Sequence, residues 1–77
     1  MIEKALVFTT PTCINCKRII SFLETKDFPK EIIDATSAEG MVLAKDNNVF
    51  SVPTVLLYTT GGKVHIARDI EDIETLL

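Results

Sequence analysis

The sequence has no tryptophan, one tyrosine and one histidine. No Ser–His–Asp set, phosphate-cradling loop or calcium loop can be read in it. Basic residues are few: eight Lys and Arg stand against eleven Asp and Glu, for a formal charge of −3. That balance disfavours a nucleic-acid role, which usually needs a basic face, and equally an anionic membrane surface as partner. No apolar run approaches the roughly 20 residues of a membrane span. The opening MIEKALVFTT lacks a signal-peptide layout, because its charges precede a very short apolar run and no small-residue cleavage site follows. The chain is therefore expected in the cytoplasm, where thiols are kept reduced. Repeats, linkers and low-complexity tracts are also missing.

What remains is a chain of 77 residues with 47% hydrophobic content, read as one domain over residues 1–77. Its core is near the lower size limit for folding alone, yet apolar enough to exclude disorder. The two cysteines, Cys13 and Cys16, stand three positions apart in FTTPTCINCKRII, residues 8–20.

The run ALVFTT, residues 5–10, is short, continuous and apolar, as in a strand buried on both faces. From Cys13 to Lys26, Cys16, Ile19, Ile20 and Leu23 recur at helical spacing, with Thr12 read as the cap and Cys13 in the first turn. A second strand falls around residues 31–34. TSAE, residues 36–39, has capping-box spacing for a second helix reaching about Asp46, with Asn47 and Asn48 as its exit. Gly40 counts against that helix. Residues 55–58 and 63–66 read as a hairpin about TTGG, where Gly61 and Gly62 supply positive φ. The alternation Lys63, Val64, His65, Ile66 marks a half-buried strand whose His65 faces solvent. Asp69 caps a last helix with Ile70, Ile73 and Leu76 or Leu77 on one stripe. Tyr58 and the four phenylalanines are read as core, with Phe8 and Phe50 as the candidates to border the site.

The element order is β-α-β-α-β-β-α. Its first two strands should be parallel and joined by a right-handed crossover, and its last two antiparallel. The most apolar strands belong in the centre of a mixed four-stranded sheet with helices on both faces, an α/β architecture.

The cysteine pair admits three readings. A zinc or iron–sulfur site needs about four protein ligands, and one Cys-x-x-Cys supplies two. With His65 on a hairpin strand, a metal would require two chains or an added thiol. A structural disulfide closing so small a loop removes little chain entropy, in a compartment that reduces it. A redox pair fits the local physics. Residues i and i+3 at a helix start lie within disulfide reach. The unpaired N–H groups there favour a thiolate on Cys13 and lower its pKa, while Cys16 sits deeper. Cys13 is then the outer nucleophile and Cys16 the inner resolving thiol.

The second motif is SVPT, residues 51–54, where Pro53 opens a strand. Together with the early Cys-x-x-Cys, it resembles the thioredoxin and glutaredoxin superfamily. NNVFSVPTVLLYTTGGKV looks like the thioredoxin hairpin, and the length and early cysteines look like small glutaredoxin-like redoxins. The resemblance spans nearly the whole chain in element order and implies a minimal thioredoxin fold. It implies that Pro53 is a cis-proline facing the cysteines and that Val52 presents its backbone to an extended substrate, with Thr12 and Thr54 alongside. It further implies attack of Cys13 on a substrate disulfide and resolution by Cys16.

The implied activity is reduction of protein disulfides by a monomer that needs no bound cofactor. The implied acceptors are disulfide-containing proteins, a ribonucleotide reductase among them. The implied donor is a thioredoxin-reductase-like flavoenzyme or glutathione. Thr12 stands where thioredoxins carry Trp, and Ile14-Asn15 stands where Gly-Pro or Pro-Tyr is usual. The extra N-terminal strand and helix of thioredoxins, with their buried Asp, are missing. IARDIED also lacks the Gly-Gly of the glutathione site of glutaredoxins, which tilts the donor toward the flavoenzyme. The alternatives are a glutathione-dependent glutaredoxin, an iron–sulfur carrier in which two chains bind a cluster through Cys13, and an adaptor without turnover.

Overall fold

A computed structural model of the chain describes residues 2–76. The elements run β1 (Ile2–Thr9), α1 (Ile14–Glu24), β2 (Lys30–Asp34), α2 (Ala38–Asp46), β3 (Thr54–Thr59), β4 (Val64–Ala67) and α3 (Ile70–Leu76). The sheet order is β2-β1-β3-β4, with β1 parallel to β2 and antiparallel to β3. β3 pairs antiparallel with β4 across the turn in which Gly61 and Gly62 have φ of 101° and 85°. The mixed sheet with its two most apolar strands inside is the one the sequence predicts.

β1 begins earlier than the apolar run indicates. Its pairing with β3 shifts between Ile2 and Lys4. That irregularity brings Ile2 onto the face of Ala5 and Val7 while Glu3 and Lys4 stay exposed. Side chains then alternate between two cores. Ala5, Val7, Val55, Leu57 and Ala67 meet Ile19 and Leu23 of α1 and Ile73 of α3. Leu6, Phe8, Ile33 and Leu56 meet Ala44 of α2. Strands buried on both faces are why the run Ala5 to Phe8 shows no polar alternation. Ile70 and Leu76 pack on the first core as half-buried neighbours of Ile73. Leu77, the other candidate for that stripe, lies outside the described residues.

α2 lies close to the sheet because the residues it buries, Gly40 and Ala44, are small. A Cβ at position 40 would land on the Asp34 carbonyl and 2.8 Å from Ser37 Oγ. Gly40 is thus what lets this helix form where it does, a correction to reading it as a weakness. The cap also moves, from the expected Thr36 to Ser37. Asp34 Oδ1 accepts from both the N–H and the hydroxyl of Thr36, at 2.8 and 2.6 Å. Ser37 Oγ is left to accept from the Gly40 N–H at 2.9 Å, donating in turn to the Asp34 carbonyl. At the far end Asn48 takes φ 57°, the left-handed conformation that ends helices.

β4 reverses the expected facing. His65 and Ala67 lie opposite Leu57 and Val55, on the α1–α3 side. His65 is half-buried there, not turned to solvent. Val64 and Ile66 are 48% and 55% exposed on the other face. The core under α2 draws side chains from β1, β2 and β3 but none from β4. An alternating pattern tells which residues share a face, but a helix must cover that face to bury them.

Candidate functional site

β1 ends beside the start of β3, since Phe8 pairs with Thr54. The segment leaving β1 and the segment entering β3 are thereby brought to one end of the sheet. The first carries Cys13 and the second Pro53. A turn follows β1, in which the Cys13 N–H donates to the Thr10 carbonyl at 3.2 Å.

Cys13 is the N-cap of α1, with φ −84° and ψ 106°, and its Sγ accepts from the Cys16 N–H at 3.1 Å. This corrects the assignment of the cap to Thr12, which lies exposed one residue earlier. A sulfur takes the place usually held by a hydroxyl or carboxylate oxygen, so a first-turn N–H without an intrahelical partner points at this sulfur. Cys13 and Cys16 form a disulfide with Cα atoms 5.3 Å apart. Cys16 is fully buried while Cys13 is half-buried. Ile14 and Asn15 between them are exposed. No acidic residue occupies the first turn of α1, and Lys17 and Arg18 follow the pair. The local field therefore favours negative charge on Cys13 once the disulfide is opened.

The Val52–Pro53 peptide is cis. Thr54 is 3% exposed, and its hydroxyl donates to the Ser51 carbonyl at 2.7 Å. Its buried side chain thus anchors the loop before β3. Among the described residues, no buried side-chain nitrogen or oxygen lacks a partner.

Pro53 stands between two open grooves. One, of about 460 Å³, is lined by Asn15, Arg18, Pro53, Arg68, Asp69 and Glu71 among others. Asp69 Oδ1 accepts from the Asp72 N–H at 2.9 Å, and Asp72 Oδ2 from the Arg68 N–H at 3.1 Å, which fixes the start of α3 at this groove. The cap on Asp69 is the expected one. Arg68 as a groove residue was not foreseen, because in sequence it is only a charge before a short helix. The other groove, of about 400 Å³, runs along Thr10, Met41, Val49, Phe50 and Val52. Phe50 is 83% exposed there, so it is not the core residue the composition indicated. Phe8 is fully buried, and Phe22, Phe28 and Tyr58 are half-buried against the two cores.

Among the described residues, no cluster of three or more His, Cys, Asp and Glu side chains is placed to hold a metal ion. No helix among them is long and apolar enough to cross a membrane.

Neither a family model nor a curated protein sequence matches the chain. Solved structures do. A thioredoxin-like protein is similar at 29% identity with TM-score 0.70, over 95% of this chain and 99% of its own. Thioredoxin 1 from Thermosipho africanus is similar at 26% identity with TM-score 0.69, over 96% of this chain and 93% of its own. Thioredoxin O2 from Arabidopsis thaliana, in its oxidised state, shares the fold at TM-score 0.74 and 21% identity, over 97% of this chain and 70% of its own. With its cysteine pair at the head of α1, its cis-proline at the head of β3 and this sheet order, the chain belongs to the thioredoxin-fold superfamily.

Proposed function

We propose that the chain is a thiol–disulfide oxidoreductase that reduces protein disulfides with the Cys13–Cys16 dithiol. The observation that carries this reading is the asymmetry of the pair: a half-buried sulfur capped by a backbone N–H, backed by a fully buried one. A metal site or a purely structural crosslink has no use for such a difference. A nucleophile and a resolving thiol require it.

The Cys13 thiolate attacks one sulfur of a substrate disulfide. The S–S bond breaks, the other substrate sulfur leaves as thiolate, and Cys13 is held in a mixed disulfide. The Cys16 thiol then loses its proton and attacks Cys13 Sγ. The second substrate sulfur leaves, and the Cys13–Cys16 disulfide forms. Two electrons have passed from the protein to the substrate, and no bound cofactor takes part. Thr12, exposed beside Cys13, and the Val52–Pro53 pair contact the substrate chain in this reading, while Thr54 positions the loop that carries them.

Disulfide-containing proteins are the substrates, a ribonucleotide reductase among the candidate acceptors, and the cytoplasm is the working compartment. A thioredoxin-reductase-like flavoenzyme is the proposed donor, because the segment entering α3 is Arg68-Asp69 where a glutathione site would carry glycines. A second donor is favoured by a different observation. Arg18 and Arg68 both line the groove beside Pro53, where carboxylates such as those of glutathione would be attracted.

An insulin-disulfide reduction assay decides between them. One arm supplies thioredoxin reductase and NADPH, the other glutathione with its reductase. Turnover in the first arm is expected. Turnover only in the second transfers the assignment to glutathione, and turnover in neither removes the oxidoreductase reading.

A further inference from the structure

The two edges of the sheet are built differently. β2, at one edge, carries Lys30, Glu31 and Asp34, charges of the kind that keep an edge from pairing with another chain. β4, at the other, has no charged residue and no proline from Val64 to Ala67. Its Val64 and Ile66 are 48% and 55% exposed on the face that α2 leaves bare. Half-buried Tyr58 pairs with Val64 there and extends the apolar surface.

The hairpin fixes which backbone groups of β4 face outward. The Thr59 N–H donates to the Lys63 carbonyl at 2.9 Å. Bonded and non-bonded pairs alternate along an antiparallel ladder, so Leu57 bonds His65 and Val55 bonds Ala67. The N–H and C=O groups of Val64 and Ile66 therefore point away from β3. No other backbone group among the described residues bonds them.

We propose that β4 pairs antiparallel with β4 of a second copy, about a two-fold axis at His65. In this register Val64 stands opposite Ile66 of the second copy, and Ile66 opposite its Val64, so every outward group is bonded. A shift one way sets Val64 opposite Val64 and leaves Ile66 to bond Gly62, whose N–H is already held by the Thr59 carbonyl at 3.1 Å. A shift the other way sets Ile66 opposite Ile66 and leaves Val64 to bond Arg68, whose N–H is already held by Asp72 Oδ2 at 3.1 Å. Only the first register satisfies both strands.

That register also places both apolar pairs on the bare face and keeps like charges apart. Lys63 falls opposite Ala67 of the second copy, and Arg68 opposite its Gly62. The two four-stranded sheets join into one, with a cysteine pair at each of its opposite ends. The contact uses no residue of the redox site. Such short edges bury less than the roughly 1,200 Å² of a stable interface, so the dimer is weak, and the monomer implied by the resemblance is its dilute form.

Sedimentation equilibrium of the full chain tests this, with the protein kept reduced so that no intermolecular disulfide counts. The average mass should rise from one chain toward two between micromolar and millimolar concentration. Ile66→Lys and Val64→Glu, both at exposed positions, should each weaken association about tenfold or more, since each removes an apolar contact twice per dimer. An equimolar mixture of the two variants should associate again. The new lysine of one chain then faces the new glutamate of the other, and Val64 faces Ile66 at the remaining pair.

A mass of one chain up to millimolar concentration overturns the proposal. A dimer unchanged in both variants places the contact elsewhere and overturns it too. A mixture no more associated than its components rules out the register, and the proposal with it. Because the redox site takes no part, each of these outcomes leaves the oxidoreductase reading standing.

Discussion

The backbone N–H of Cys16 donates to Cys13 Sγ at 3.1 Å, so the first turn of α1 is capped by the sulfur it would activate. The bond ties the conformation of the helix start to the charge on that sulfur. A thiolate accepts it better than a neutral thiol does, and the other unpaired N–H groups of the first turn add in the same direction.

In the reduced protein, alkylation of Cys13 by iodoacetamide should be half-maximal below the roughly 8.5 expected of a free thiol. The rate should fall as the pH drops and the thiolate is protonated. Cys16, fully buried in the same structure, should be alkylated far more slowly. Equal rates for the two thiols would contradict the asymmetry on which the proposed function rests.

Replacing Cys16 by Ser should trap a substrate through Cys13 as a stable mixed disulfide, visible on a non-reducing gel. Cys13→Ser should trap nothing, because the remaining thiol is buried behind the helix start. Trapping by Cys13→Ser and not by Cys16→Ser would exchange the two roles.

Gly40→Ala should destabilise the fold by about 2–4 kcal/mol, since its new methyl group meets the Asp34 backbone and cannot be relieved by a side-chain rotation. For a domain of this size that lowers Tm by more than about 10 °C in a thermal melt. Gly61→Ala meets no atom within 4 Å and suffers only its φ of 101°, a cost of about 1 kcal/mol. The order of the two Tm values therefore separates a steric glycine from a conformational one.

Thr54→Val keeps the shape of a 3% exposed side chain and removes its hydroxyl from the Ser51 carbonyl. A loss of about 1–2 kcal/mol is expected in urea unfolding. Disulfide reduction should slow severalfold because the loop before β3 loses its anchor. Alkylation of Cys13, which does not use that loop, should be unaffected.

The hydroxyl and backbone N–H of Thr36 hold the Asp34 carboxyl below its ordinary value of 3.8. A depressed carboxyl contributes stability that is present above its unfolded value and is lost as the pH falls through the folded value. Thr36→Ala removes the larger of the two causes. The Asp34 titration followed by NMR should then move up toward 3.8, and the acid limb of the stability profile should become shallower.

Much of the site was legible before any coordinates. The short apolar run before Pro11, the helical stripe from Cys16 to Leu23 and the Val-Pro-Thr entry to β3 are local patterns. Each reflects a constraint on neighbouring residues. The cap on Cys13, the cap on Ser37 and the facing of β4 were not legible in that way. At each helix start two adjacent hydroxyl or thiol residues satisfy the same pattern, and the choice turns on what the preceding strand end holds. Asp34 occupies Thr36, and that leaves Ser37 to α2.

By itself the sequence determined the order of the elements, the two central strands and the pairing of a Cys-x-x-Cys helix start with a proline-led strand. The first two follow from spacing and apolar periodicity, which act over a few residues, and the third from the resemblance to the thioredoxin and glutaredoxin superfamily. Only the tertiary structure decided which faces are covered. α2 leaves Val64 and Ile66 bare, requires a glycine at position 40, and stands beside an exposed Phe50. Burial depends on which element arrives on a given face and how closely its backbone can approach. That information lies in residues distant along the chain, so no local pattern contains it.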